Sequence, residues 1–216
     1  MAKKGNTSAS KGERRSGRNA LREKAARQKR KQNLILGGGV AVIVLLIGLI
    51  IAQQVLRSRP VAGEATLASL GNNHIAFGSI SPIAYNSTPP TSGPHYENIV
   101  AWGVYNEPQR YEHLVHNLED GGVVIYYQCA GGCPALVNQL EALVQPYIAS
   151  GRHVVLAPND PAWQINGSQP LQQDMGATIA VTAWQHILKL DAVDDGKIQA
   201  FIERYEGLDH HVAGIG

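Results

Sequence analysis

Several kinds of chemistry are missing from this 216-residue chain. It has no Gly-x-Ser-x-Gly elbow, no His-Glu-x-x-His pair and no phosphate-cradling glycine loop, so the common hydrolase and nucleotide-binding signatures are absent. The glycine run Gly37-Gly38-Gly39 lies inside an apolar segment instead. There are two cysteines, Cys129 and Cys133, so at most one intrachain disulfide can form. Acid is scarce at the front: residues 1–32 hold two of the seventeen acids, Glu13 and Glu23, against twelve of the nineteen Lys and Arg. That tail carries a net charge of +10, and the remainder −8. Such segregation points to a membrane or to nucleic acid. No aromatics interleave with the basic residues, as they do in single-strand binders, and no nucleic-acid partner is expected. Almost no large apolar residue precedes Leu34, so the tail is predicted to be disordered and to act as a topology determinant.

The segment after the tail decides between the two. Leu34 to Ala52 is nineteen residues without a charge, and the charge-free stretch extends from Gln32 to Leu56. At about 1.5 Å per residue, such a helix spans roughly 29 Å, close to the hydrocarbon thickness of a bilayer. The run is longer than the apolar core of a cleaved signal, and Ala52-Gln53-Gln54 is a poor cleavage site. The positive-inside rule places the tail in the cytoplasm and the rest of the chain outside. The predicted order is a basic tail (1–32), a transmembrane helix (33–56), a linker (57–70), an extracytoplasmic domain (71–208) and a short C-terminal tail (209–216). The bilayer is then an expected partner, and a second membrane protein a further candidate.

In the outer domain, a long stretch to Pro108 is broken by Pro82, Pro89, Pro90 and Pro94, which disfavour helix. It carries Tyr85, His95, Tyr96 and Trp102, so it is expected to pack on the domain. Gln109–Glu119 reads as a helix, with Tyr111, Leu114, Val115 and Leu118 forming an apolar stripe. Val123–Tyr127, His153–Ala157 and Ala177–Ala183 read as strands, Pro134–Ile148 and Asp194–Tyr205 as helices. Trp184–Leu190 reads either as a continuation of the third strand or as a short helix. The pattern implies an α+β fold, a small sheet with flanking helices, with a thioredoxin-like β-α-β-β-α core as one form of it.

Three features carry chemistry. In Pro-Pro-Thr-Ser-Gly-Pro-His-Tyr (89–96), prolines fix the backbone that presents His95. On the 109–119 helix, His113, His116 and Asp120 fall together opposite the apolar stripe, a spacing that suits a shared cation as well as a solvated face. In Cys129-Ala130-Gly131-Gly132-Cys133-Pro134, Cys133 stands at a helix start, where a thiolate is favoured. That loop suits a structural disulfide, a soft metal or redox cycling.

Strand, C-x-x-x-C-P, then helix resembles the copper-delivery proteins of cytochrome oxidase assembly, which implies copper held by two Cys and a distant His; the candidates are His153, His186, His210 and His211. The strings 89–96, Val-His-Asn-Leu-Glu-Asp-Gly-Gly-Val-Val (115–124), Ala-Pro-Asn (157–159) and Thr-Ala-Trp (182–184) together resemble a bacterial membrane-anchored domain-of-unknown-function family, DUF3105. That resemblance implies an anchored extracytoplasmic domain and no particular activity. The family's His-x-Leu-Glu-His pattern has Asp120 here in place of the second His, a harder ligand.

Three functions remain open at this level. One is binding of copper or zinc through His95, His113, His116 and Asp120, with Cys129 and Cys133 as alternative soft ligands. The others are a non-enzymatic accessory domain of a membrane complex with a Cys129–Cys133 disulfide, and a thiol-disulfide oxidoreductase.

Overall fold

A computed structural model describes residues 8–57 and 59–211; the first seven residues of the tail and residues 212–216 lie outside the described residues. The chain divides into two units at Leu56/Arg57.

The first unit is one helix, α1 (Ser8–Arg57). Within it Arg27–Gln53 is long and apolar enough to cross a membrane. The expected disorder of the tail is not what the structure describes, for the helix takes in the basic residues from Ser8 onward. Ala, Arg, Lys, Glu and Gln dominate there, all good helix formers, and a preformed apolar helix relieves the cost of nucleation.

The second unit is a three-layer α+β domain. Its elements are β1 (Glu64–Thr66), β2 (Gly103–Val104), α2 (Tyr111–Glu119), β3 (Val123–Tyr127), α3 (Pro134–Ala149), β4 (Val154–Pro158), β5 (Ile179–Ala183), β6 (His186–Leu190) and α4 (Asp195–Tyr205). They form one six-stranded sheet, order β1-β6-β5-β3-β4-β2. β3 pairs parallel with β4, and β4 with β2, while β5 is antiparallel to both β3 and β6. The ambiguous Trp184–Leu190 stretch is settled as a hairpin: Gln185 takes a left-handed φ of 64° and β6 returns beside β5. The segment read as a linker contributes an edge strand, Glu64–Thr66 pairing with Leu188–His186, and Val61 joins the core.

Strand alternation sorts the side chains to two faces. Val123, Ile125, Val154, Leu156, Ile179 and Val181 meet Leu140 and Val144 of α3 and Ile198, Phe201 and Ile202 of α4. Val124, Tyr126, Val155, Ala157 and Ala180 meet Tyr111, Leu114, Val115 and Leu118 of α2. Asp194 caps α4 by accepting from the Lys197 amide at 3.0 Å, and Pro134 opens α3, where its missing N–H costs nothing.

The proline-rich stretch is packed, as its aromatics predict. Asn117 fixes it to α2: its Oδ1 accepts from the Val100 amide at 3.1 Å, and its Nδ2 donates to the Val100 carbonyl at 2.9 Å. The Tyr96 amide donates to the Glu112 carbonyl at 3.0 Å. The face of α2 opposite the core stripe is therefore covered rather than solvated, and His116 and Glu119 are buried.

Candidate metal centre

Residues 71–75 and 93–95 run alongside each other. The Gly93 amide donates to Gly71 O at 2.9 Å, the His95 amide to Asn73 O at 3.1 Å, and the Ile75 amide to His95 O at 2.8 Å. Gly93 turns the chain at a φ of +115°, against the Tyr85 ring and Leu70. This pairing sets His74 beside His95, and the Tyr96–Glu112 bond sets both against α2.

Three imidazoles converge as a result. His95 meets His116 edge to face with ring centres 5.0 Å apart, and His74 in the same way at 5.0 Å. His74 stacks parallel on His116 at 5.2 Å. Glu119, one turn beyond His116, places Oε2 at 2.8 Å from His95 Nε2. His74, His95, His116 and Glu119 each offer one ligand atom within 4.8 Å of the others. Ligands about 2.1 Å from one ion stand about 3–4 Å apart, so modest closure brings these four onto a common cation.

The hydrogen bonds fix the protons. His95 Nδ1 lies 2.7 Å from Gly93 O, and His116 Nδ1 lies 2.6 Å from Tyr96 O. A carbonyl can only accept, so each Nδ1 is the protonated nitrogen and, in the neutral ring, each Nε2 keeps its lone pair. Backbone carbonyls orient metal-bound histidines in this way. Burial lowers the His95 pKa, outweighing the Gly93 bond and the Glu119 charge that favour its protonated form. With Nδ1 holding the ring proton, the Nε2 lone pair of His95 and the Glu119 carboxylate face each other across 2.8 Å. His95 Nε2 and Glu119 Oε2 are both fully buried, and neither makes a hydrogen bond despite the ion-pair distance. The other oxygen of Glu119 accepts from Asn72 Nδ2 at 2.8 Å.

Asp120 joins a second group with His116 and His211. His113 belongs to neither group: its ring meets Tyr96 at 4.9 Å and Phe77 at 5.3 Å, and burial first, then Arg110 and His116, lower its pKa. Around the helix His113 falls on the far side of His116 from Glu119, toward Arg110. Cys129 and Cys133 are joined in a disulfide with Cα atoms 5.9 Å apart, and fall in neither group. Of the distant histidines, His153 stacks on Trp102, His186 on Tyr205 and His210 on Trp184, and only His211 comes to a ligand cluster.

Sequence reasoning missed His74 and Glu119, and named His211 only as one of four distant histidine candidates to join the cysteines. Glu119 left a signal: Glu112 and Glu119 flank the core residue Val115 at i−3 and i+4, and a carboxylate in line with a buried stripe needs a partner. His74 left none, and nothing in the sequence singled out His211 from the other three, since both arrive through backbone pairings distant in sequence.

The chain matches the family described as "Protein of unknown function (DUF3105)" over residues 78–213, and it belongs to that family. No curated protein and no solved structure matches it, so the resemblance to copper-delivery proteins has no support beyond the C-x-x-x-C-P string.

Proposed function

We propose that this member of the DUF3105 family is a membrane-anchored, extracytoplasmic protein whose domain binds one transition-metal ion, copper or zinc, through His95, His116 and Glu119, with His74 as the fourth ligand. The observation that carries this reading is the convergence of His74, His95, His116 and Glu119, in which His95 Nε2 and Glu119 Oε2 lie buried 2.8 Å apart and neither makes a hydrogen bond. A cation removes the mutual repulsion and satisfies both. The ligand set is imidazole and carboxylate without thiolate, which suits Zn(II) or Cu(II) better than Cu(I). His74 is exposed, so the fourth position lies on the solvent side. The anchor reading rests on Arg27–Gln53, and the outward orientation on the +10 tail.

The test is elemental analysis of the full chain, purified in detergent without chelators. About one zinc or copper per chain is expected, lost in both His95→Ala and His116→Ala. A metal-free wild type, or unchanged metal in both variants, ends the proposal.

One observation favours a second reading, an accessory domain of a membrane complex. Phe77, Ile80 and Ile83 stand exposed on a single loop. Co-purification with a larger membrane protein, lost on Phe77→Ser and retained in the histidine variants, supports that reading.

A further inference from the structure

From the overlap of the two ligand groups at His116, we infer that His211 and Asp120 form a loading port, a solvent-facing station that passes a divalent transition-metal ion to the buried centre. This inference rests on the metal-binding reading above. The two groups, His74–His95–His116–Glu119 and His116–Asp120–His211, have His116 in common. With Nδ1 committed to Tyr96 O, His116 has one lone pair, on Nε2, and one lone pair binds one ion at a time. The two groups therefore describe two positions for a single ion. His116 stays bound while Asp120 and His211 are exchanged for His95, Glu119 and His74.

From His211 inward to His95 exposure falls, and of the inner group only His74 is exposed. The side chain of His211 is 41% exposed and Asp120 29%, against 9% for His116, 1% for Glu119 and 0% for His95. The contacts are continuous: His211 Nδ1 lies 3.4 Å from Asp120 Oδ1, and Asp120 Oδ1 lies 3.5 Å from His116 Nε2. His211 Nε2 reaches Glu119 Oε2 at 3.6 Å, so His211 touches the acceptor of each station. The orphaned pair His95 Nε2 and Glu119 Oε2 marks the inner end.

The chain end is held in place to do this. The Gly207 amide donates to Gly121 O at 2.7 Å, and the His210 amide to Glu119 O at 2.8 Å. His210 stacks on Trp184 with ring centres 5.8 Å apart. His211 itself is steadied by Asp209 Oδ1, which accepts from its amide at 2.9 Å and lies 3.0 Å from its Nδ1. A port that delivers an ion must hold it less tightly than the centre does, and two ligands on the rim plus the shared His116 meet that condition.

The test follows Co(II), a spectroscopic stand-in for zinc, into the metal-stripped full chain in detergent micelles by stopped-flow absorption. His211→Ala and Asp120→Asn are expected to slow both uptake and chelator-driven release about tenfold, the order lost when supporting ligands of a metal are removed. Both should still reach one ion per chain, and His186→Ala should behave as wild type. Unchanged rates in either variant overturn the port. So does loss of the bound ion in His211→Ala, because His211 then belongs to the resting centre. A wild-type chain that takes up no Co(II) overturns the metal-binding reading and the port together.

Discussion

His95 Nε2 and Glu119 Oε2 sit 2.8 Å apart, fully buried, without a hydrogen bond between them. Without a cation this contact is destabilising, because two lone-pair-bearing atoms share a dry space. Glu119→Gln changes its sign. A glutamine amide can donate to His95 Nε2 while its oxygen keeps the Asn72 bond. The metal-free variant is expected to be more stable than metal-free wild type by about 1 kcal/mol, the usual net value of one hydrogen bond. It should also lose metal-dependent stabilisation. Urea denaturation with and without zinc measures both, and a destabilised apo variant contradicts the account.

The disulfide is expected to be separable from the metal. Cys129 and Cys133 enclose a short loop ahead of α3 and contribute no ligand to either group. Cys129→Ser/Cys133→Ser should cost less than the typical value of about 2–4 kcal/mol, because the closed loop is so short. Its metal content should equal that of wild type. Loss of metal in this double variant restores the cysteines as ligands.

Gly121 holds the chain end. Its φ is +75°, and a Cβ there would meet the Leu208 backbone at 2.8 Å. Gly121→Ala is therefore strained in its own backbone and displaces residues 207–211, at a cost of about 1–3 kcal/mol. Hydrogen exchange should speed up at the Gly207 and His210 amides, which donate to Gly121 and Glu119. Unaltered protection at both amides refutes the expectation.

His186 makes stability depend on pH away from the metal centre. Its ring stacks on Tyr205 at 4.2 Å, and burial lowers its pKa from 6.5, with Glu64 opposing and Arg204 and His210 assisting. Above pH 6.5 the ring is neutral in both folded and unfolded chains. As pH falls below that value the unfolded chain takes up the proton first, so stability declines through the window down to the lowered folded pKa. Thermal midpoints between about pH 7.5 and about pH 5.5 should fall less steeply in His186→Gln than in wild type. Equal slopes contradict this.

Much of the fold was legible because it rests on local pattern. The β-branched run Val123–Tyr127, the stripe Tyr111–Leu114–Val115–Leu118 and Pro134 at a helix start each state their element in a few adjacent residues. The edge strands β1 and β2 were not legible: three and two residues long, they are defined only by their partners β6 and β4. Trp184–Leu190 stayed ambiguous because a two-residue turn at Gln185, with its left-handed φ, carries no glycine or asparagine to announce it.

For the site, the sequence by itself determined His95 on a stiff segment and His116 on a helix, along with a charge-free span preceded by a basic tail. Each is a property of neighbouring residues: backbone restriction, helical periodicity, the length of an apolar run. Tertiary structure alone decided which groups come within reach of a common cation. It excluded His113, paired the cysteines, and brought His74 and His211 in from segments far from α2. It also buried Glu119 beside His95. The physical reason is that coordination depends on a few atoms within a few ångströms, and the Asn117–Val100 and Gly121–Gly207 bonds that set those distances join parts of the chain that sequence spacing does not connect.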